Sequence, residues 1–157
     1  ARRYRYHVWN RTQRRALLGR YVWHVPAVLN LETMREASRR LIGHHDFGAF
    51  GRPPQGDNVW RTIMRLEVER LGDLVVVVVE ADAFLRRMVR LVVGTLVDVG
   101  RGKADVSDIE SLMGGGVRHP LSAAAPAKGL FLEAVAYDRE RLGHGMGLWW
   151  SCEPLKQ

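Results

Sequence analysis

The sequence has 157 residues, of which 46 % are hydrophobic and 26 % are charged, a composition typical of one folded domain and not of a disordered chain. Its apolar runs, such as residues 75–79, are far shorter than the roughly 20 residues that cross a bilayer, and the chain does not open with a secretory signal pattern. A single cysteine, Cys152, excludes an internal disulfide, and the histidines lack metal-ligand spacing. We therefore expect a cytoplasmic protein with no membrane span and no metal.

The positive charge is concentrated at one end of the chain. The formal net charge is +7, and residues 1–40 contain ten arginines against two glutamates, so the remaining residues are close to neutral. Arginine pairs with phosphate through its planar fork and stacks on bases. This distribution favours a nucleic-acid partner, although a solvated basic surface would have the same composition.

The first strand is predicted at residues 2–9, where side chains alternate. Neither face of this strand is plainly a core face. One face carries Tyr4, Tyr6 and Val8, and the other carries Arg3, Arg5, His7 and Trp9. After an arginine-rich connection, Asn30 is placed to cap a helix that ends before Gly43. Residues 44–58 are rich in glycine and proline and are expected to form a loop.

The second half of the sequence predicts two more strands, two helices and a final strand. Residues 59–70 alternate, and the run at 74–79, which is β-branched after its first residue, predicts a strand buried on both faces at the centre of the sheet. Residues 83–99 have helical spacing, a shorter helix follows Asp105 or Ser107, and residues 130–138 alternate again. Residues 139–157 show no period and are expected to form an irregular tail.

The order of these elements predicts an α+β fold. It matches the split βαβ arrangement of ferredoxin-like and RNA-recognition domains, with an antiparallel sheet and helices packed on one face. Residues 1–138 would form this domain and 139–157 its C-terminal tail. The third strand lacks the glycine-aromatic pattern of RNA-recognition motifs, so an ordinary motif of that kind is not expected.

Five segments carry a resemblance to a known family. In order along the chain, they are ARRYRYHVWN, LIGHHDFGAF, VWRTIMRLEV, ADAFLRRMVRLVVGTLVDVGRG and APAKGLFLEAVAYD. Together they resemble the C-terminal portion of the bacterial tRNA pseudouridine synthase A family. The resemblance implies an isomerase that converts uridine to pseudouridine in the anticodon arm of tRNA, without cofactor or metal, and that works as a homodimer.

The family's catalytic aspartate has no counterpart in this sequence. In the family it belongs to a motif of the type Arg-Thr-Asp-Ala-Gly-Val-His, which is absent from residues 1–157. The resemblance therefore implies a C-terminal fragment that is inactive alone. A stand-alone RNA-binding module without chemistry is the alternative, and a structural or dimerisation domain that uses Trp149 and Trp150 is a third possibility.

The resemblance also implies roles for three residues. Tyr4 matches a tyrosine that lies against the extruded target base, where a flat aromatic surface restores lost stacking; alternatively it is only a strand residue over the core. Arg90 matches an arginine that would orient the catalytic aspartate; alternatively its side chain extends to solvent. Leu130 matches a residue that packs against the base, and plain core packing is the alternative.

Other candidates come from charge and residue type. The expected contacts to the tRNA backbone are Arg2, Arg3, Arg5, Arg14 and Arg15. A histidine beside an acid can act as a general base, so His44, His45 and Asp46 are considered. They follow the C-terminus of a predicted helix, where a structural role is favoured.

Overall fold

The computed structural model describes residues 1–13, 18–113 and 121–137. In these residues the strands are β1 (Arg2–Trp9), β2 (Trp23–His24), β3 (Gly43–Asp46), β4 (Trp60–Leu71), β5 (Leu74–Ala81) and β6 (Leu130–Val135). The helices are α1 (Leu31–Leu41), α2 (Met88–Gly100) and α3 (Val106–Met113). The predicted α+β class is confirmed. The tail at 139–157, with Trp149 and Trp150, lies outside the described residues.

The strands form one sheet in the order β2-β1-β5-β4-β3, and β6 pairs with the same edge of β1 as β2 does. Every pairing is antiparallel except the short one between β1 and β2. Strand β5 lies at the centre and is buried along nearly its whole length, as its β-branched run predicts. The sheet therefore has the expected split βαβ arrangement.

The core lies between one face of this sheet and the helices. Tyr6 and Val8 of β1 are fully buried and pair with Val77 and Val75 of β5, while α1 contributes residues such as Met34. The face of β1 that carries Tyr4, Tyr6 and Val8 is thus a core face, and the expectation that neither face is a core face was wrong. Arg3 and Arg5 of β1 lie on the opposite face.

Helix α1 begins and ends where its sequence predicts. The side chain of Asn30 accepts hydrogen bonds from the backbone amides of Glu32 and Thr33 at 3.0 and 3.3 Å, which satisfies two N–H groups of the first turn. The helix ends at Leu41, and Gly43 follows with a φ of 118°. Both signals are local, so the sequence alone was sufficient to place this helix.

The prediction of a loop at residues 44–58 was wrong for its first part. Residues Gly43–Asp46 form the edge strand β3 against β4, and Gly48–Phe50 form a short 3-10 helix. Phe47 and Phe50 are fully buried and contact each other with ring centroids 5.8 Å apart. Burial of two aromatic rings anchors this segment, and that gain outweighs its glycine-rich composition.

The long second helix begins later than its apolar spacing predicts. Helix α2 starts at Met88 and not at residue 83, because Arg87 has a left-handed backbone with a φ of 67°. The preceding residue, Arg86, donates its backbone amide to the carbonyl of Arg52 at 2.8 Å. This bridge ties Arg86 to the connection that carries Arg52, so Phe84, Arg86 and Arg87 lie before the helix.

Candidate functional site

Arg90, in the first turn of α2, is fixed at one end of its guanidinium group. Its Nε donates to the carbonyl of Ala125 at 2.5 Å, and the amide of Ala125 donates to the carbonyl of Arg90 at 2.9 Å. The side chain is half-buried, and no described residue accepts a hydrogen bond from its terminal Nη atoms or pairs with its charge. The chain therefore orients a guanidinium whose two-pronged end is available to a ligand or to a carboxylate.

Gly94 allows α2 to approach the segment that holds Arg90. A Cβ at this position would lie 2.2 Å from the carbonyl oxygen of Ala123, a distance that no real side chain tolerates. Gly94 is one helical turn after Arg90, and Ala123 is two residues before Ala125. The glycine thus sets the distance at which Ala125 can hold the guanidinium.

Tyr6 connects β1 to the segment at residues 123–126, which holds Arg90. Its hydroxyl donates to the carbonyl of Pro126 at 2.6 Å. Burial raises the pKa of Tyr6 well above its usual value, and the positive charge of Arg90 partly opposes that rise. The phenol therefore stays protonated as a donor, and the Arg90 guanidinium lies close enough to the core face of β1 to affect it.

Tyr4 lies two residues before Tyr6 on the same face of β1 and packs against Phe84. The two rings meet edge to face, with centroids 5.1 Å apart and planes at 89°. Both rings are half-buried, and the Tyr4 hydroxyl has no hydrogen-bond partner among the described residues. Such an edge contact holds the phenol ring in place while part of its surface remains open.

Leu130 begins β6 directly opposite Tyr6 and is half-buried. Gly129, the residue before it, lies against the Tyr6 ring: a Cβ there would be 2.7 Å from Cζ of Tyr6. The structure thus places Tyr4, Arg90 and Leu130 around Tyr6. Their roles toward a base or an aspartate stay predictions.

Two of the arginines predicted to contact a nucleic-acid backbone are already paired. Arg3 contacts the carboxylate of Glu80 and Arg5 that of Glu133, each at 2.7 Å, on the sheet face opposite Tyr4. The first pair is almost buried, with side chains 12 % and 6 % exposed. Arg2 is exposed and has no acidic partner among the described residues. Arg14 and Arg15 lie outside the described residues.

His44, His45 and Asp46 make contacts within β3 and its neighbours. The His44 ring stacks on Trp60 with centroids 5.3 Å apart, and its Nδ1 is 3.0 Å from the Thr62 hydroxyl. His45 Nε2 is 2.9 Å from the carbonyl of Ile42, and Asp46 accepts from the amide of Gly48 at 2.7 Å. These contacts favour the structural alternative for all three residues.

Sequence reasoning did not identify the two carbonyls of Ala125 and Pro126 or the Tyr4–Phe84 contact. Ala125 and Pro126 are small residues in an irregular segment, and nothing in the sequence indicates that their carbonyls accept these hydrogen bonds. Phe84, close to two arginines, is a weak indication of an aromatic contact near the site. Over the described ranges, no cluster of three potential metal ligands is present and no helix is long and apolar enough to cross a membrane.

Comparison with known proteins identifies the family. The model of the tRNA pseudouridine synthase family matches residues 37–138. Proteins named tRNA pseudouridine synthase A from Syntrophotalea carbinolica and Clostridium botulinum are 40 % and 37 % identical over 135 residues, covering 85 % of this chain and 54 % and 55 % of those proteins. The protein named tRNA pseudouridine synthase A 2 from Clostridium perfringens is 42 % identical over 137 residues, with 85 % and 55 % covered.

The chain thus spans about half the length of the curated relatives that it matches. The match to the family model runs through β3, β4, β5, α2 and β6, the elements that carry or adjoin Arg90, Phe84 and Leu130. By this match the chain belongs to the tRNA pseudouridine synthase family.

Proposed function

We propose that this chain forms one side of the active site of a tRNA pseudouridine synthase. The reaction is an isomerisation of uridine: the glycosidic bond to N1 breaks, the uracil turns, and C5 bonds to the sugar while its proton is lost and N1 gains one. The observation that carries the proposal is the Arg90 guanidinium, held through Nε by the Ala125 carbonyl with no acidic partner in the described residues.

Arg90 acts in this proposal as a positioning residue for a carboxylate. A guanidinium fixed at Nε presents its Nη atoms in one plane, and that geometry matches the two oxygens of an aspartate. Bidentate pairing would hold the aspartate in one orientation and lower its pKa, so that it stays ionised. The family's aspartate motif is absent from residues 1–157, and the resemblance implies that the remaining half of the protein would supply it.

Tyr4 supplies the surface for the extruded base. A uracil turned out of its helix loses stacking, and an aromatic ring can restore about 1–3 kcal/mol of it. Phe84 packs against the Tyr4 ring edge to face, with centroids 5.1 Å apart, and the Tyr4 hydroxyl, unpartnered among the described residues, is free to take part in removal of the C5 proton. Leu130, opposite Tyr6 in the register, would pack against the base from the side.

The partners follow from the same proposal. The substrate is tRNA, modified at a uridine in its anticodon arm. Arg2 and the arginines at 14 and 15 remain candidates for contacts to the tRNA backbone. Arg3 and Arg5 would have to release Glu80 and Glu133 to reach a phosphate. We therefore assign these two arginines to ion pairs on the sheet surface and not to tRNA binding. The resemblance to the family further supports a homodimer and a cytoplasmic location.

A chimera tests the proposal. Residues 1–137 would replace the matching part of the Syntrophotalea carbinolica relative, and pseudouridine in tRNA would be measured by mass spectrometry. We expect pseudouridine to form, and none to form when the aspartate of the relative's own half is changed to asparagine. A chimera that folds and binds tRNA but forms no pseudouridine would contradict the proposal and favour an RNA-binding module without chemistry.

A further inference from the structure

A bridge between two arginines lies immediately before α2. The amide of Arg86 donates to the carbonyl of Arg52 at 2.8 Å, and the two residues are antiparallel bridge partners. Residues paired in this way direct their side chains to the same side. Gly51 makes the approach possible, because a Cβ there would lie 2.5 Å from the carbonyl oxygen of Arg86.

A third arginine follows in an uncommon backbone conformation. Arg87 has a φ of 67° and a ψ of 2°, and it is the only residue other than glycine with a positive φ in the described ranges. Its carbonyl accepts the first helical hydrogen bond of α2, from Leu91 at 2.9 Å. Such a conformation persists where surrounding contacts enforce it, and it is frequent at ligand sites. Arg52, Arg86 and Arg87 are called the arginine triad below.

The triad is charged, exposed and unpaired. All three side chains are exposed, and within the described part of the chain no carboxylate lies within 4.0 Å of any of them. The arginines that do form ion pairs there are Arg3, Arg5, Arg11, Arg35, Arg40, Arg65 and Arg101. Asp57 lines a hollow of about 450 Å³ together with Arg52 but does not pair with it.

Uncompensated like charges on bridge partners repel each other. The chain nevertheless holds them together by a backbone hydrogen bond and a glycine contact, neither of which depends on the side chains. An anion placed between the guanidinium groups would remove the repulsion and gain charge-assisted hydrogen bonds. Phosphate is the anion that the planar arginine fork matches best, together with carboxylate.

We propose that the arginine triad binds the phosphodiester backbone of RNA beside the candidate active site. The identity of the ligand rests on the proposed function, since Arg87 is three residues before Arg90 and the triad therefore flanks the site where the base is turned out. An extruded nucleotide needs its flanking phosphates held in position, and such contacts are independent of sequence. The triad would supply them where Arg3 and Arg5 are engaged with Glu80 and Glu133.

A charge-matched comparison tests this proposal. The dissociation constant of the 157-residue chain for tRNA would be measured from 50 to 300 mM salt for a triple variant, Arg52→Gln, Arg86→Gln and Arg87→Gln. The control changes Arg20, Arg39 and Lys103 to Gln, three exposed cations that also lack acidic partners in the described ranges. Melting curves would verify that both variants fold, and the loss of net charge is the same in both.

We expect the triad variant to bind at least about tenfold more weakly at low salt and to lower the slope of log Kd against log salt by about two to three, one for each lost phosphate contact. The control should change both quantities much less. Equal effects in the two variants would overturn the proposal, because net charge alone would then explain the binding. That result would leave the catalytic proposal intact, since pseudouridine formation by the chimera is measured separately.

A second variant tests the geometry without removing charge. Gly51→Ala forces Arg52 and Arg86 apart. Gly56→Ala, in the same connection, introduces backbone strain at a φ of 63° but meets no atom within 4 Å, so it controls for local strain without a clash. We expect Gly51→Ala to weaken tRNA binding several-fold and Gly56→Ala to leave it unchanged. Wild-type affinity in a folded Gly51→Ala chain would contradict a site that depends on the Arg52–Arg86 bridge.

Discussion

Arg90 and Ala125 are joined twice: the side-chain Nε of Arg90 donates to the Ala125 carbonyl, and the Ala125 amide donates to the Arg90 carbonyl. The two residues are far apart in sequence, one in α2 and the other in the segment that leads to β6. The double contact fixes the guanidinium relative to both its own helix and the first strand, since the next carbonyl, that of Pro126, accepts from Tyr6.

Gly94 should resist a substitution that a helix normally favours. Alanine is a better helix former than glycine by about 1 kcal/mol, but a Cβ at 94 would lie 2.2 Å from the Ala123 carbonyl oxygen, which belongs to the backbone. We expect Gly94→Ala to lower the free energy of unfolding by about 1–3 kcal/mol in urea titrations. Gly100→Ala is the comparison, because its Cβ would meet side chains and not backbone: Cγ and Sδ of Met34 at 2.7 Å and Cδ2 of Leu29 at 3.4 Å. An increase in stability for Gly94→Ala would show that the segment can move away.

Tyr6 should contribute to stability through its hydroxyl. Tyr6→Phe leaves the Pro126 carbonyl without the donor that now lies 2.6 Å away, so we expect a loss of about 1–2 kcal/mol in the free energy of unfolding. Tyr137→Phe, at a fully exposed ring, should change nothing. Equal stability of the Tyr6→Phe and wild-type chains would mean that the hydrogen bond from the Tyr6 hydroxyl to the Pro126 carbonyl makes no net contribution to stability, as when water replaces the donor.

His7 should make stability depend on pH. Burial lowers its pKa below the usual value of 6.5, the nearby charge of Arg5 lowers it further, and Glu133 opposes both. The unfolded chain therefore binds a proton more readily than the folded one below pH 6.5, so stability is lost as the pH falls through that range. Melting temperatures measured between pH 7.5 and 5 should fall less for His7→Gln than for the wild type. Parallel curves would show that His7 titrates normally.

Tyr4 should be needed for its ring more than for its contact with the fold. In the chimera, Tyr4→Ala removes the stacking surface, and about 1–3 kcal/mol of lost stacking corresponds to roughly 5- to 150-fold slower pseudouridine formation under subsaturating tRNA. Tyr4→Phe keeps the ring and its contact with Phe84, so any loss of activity in this variant relative to the wild type measures the contribution of the hydroxyl alone. Undiminished turnover by a folded Tyr4→Ala variant would make Tyr4 a strand residue only.

The sequence correctly predicted the elements that depend on neighbouring residues, such as a helix cap or a run of β-branched side chains. Asn30 caps α1 through its own side chain, and the valine run of β5 is β-branched along its length, so both were placed correctly. The start of α2 was not, because it depends on a backbone bond to Arg52 that lies far away in sequence. Strand β3 was missed since it is anchored by the buried rings of Phe47 and Phe50.

The candidate site was predicted in part. The resemblance selected Arg90, Tyr4 and Leu130, but the carbonyls that fix Arg90 and Tyr6 are main-chain atoms and leave no trace in the sequence. Charge counting selected Arg3 and Arg5 for a backbone contact because it cannot detect partners that come from 77 and 128 residues away. A surface charge is informative only when its acidic neighbours are known.

The most direct test of the account is pseudouridine formation by Arg90 variants of the chimera. Arg90→Lys keeps the charge but not the bidentate fork, and Arg90→Gln removes both. If Arg90 positions the catalytic aspartate, both variants should lower kcat by about 10²-fold or more, while tRNA affinity matches that of the control Arg39→Gln. Melting curves verify that both variants stay folded, because each loses the bond from Nε to the Ala125 carbonyl. Turnover by Arg90→Lys at the wild-type rate would contradict the central claim.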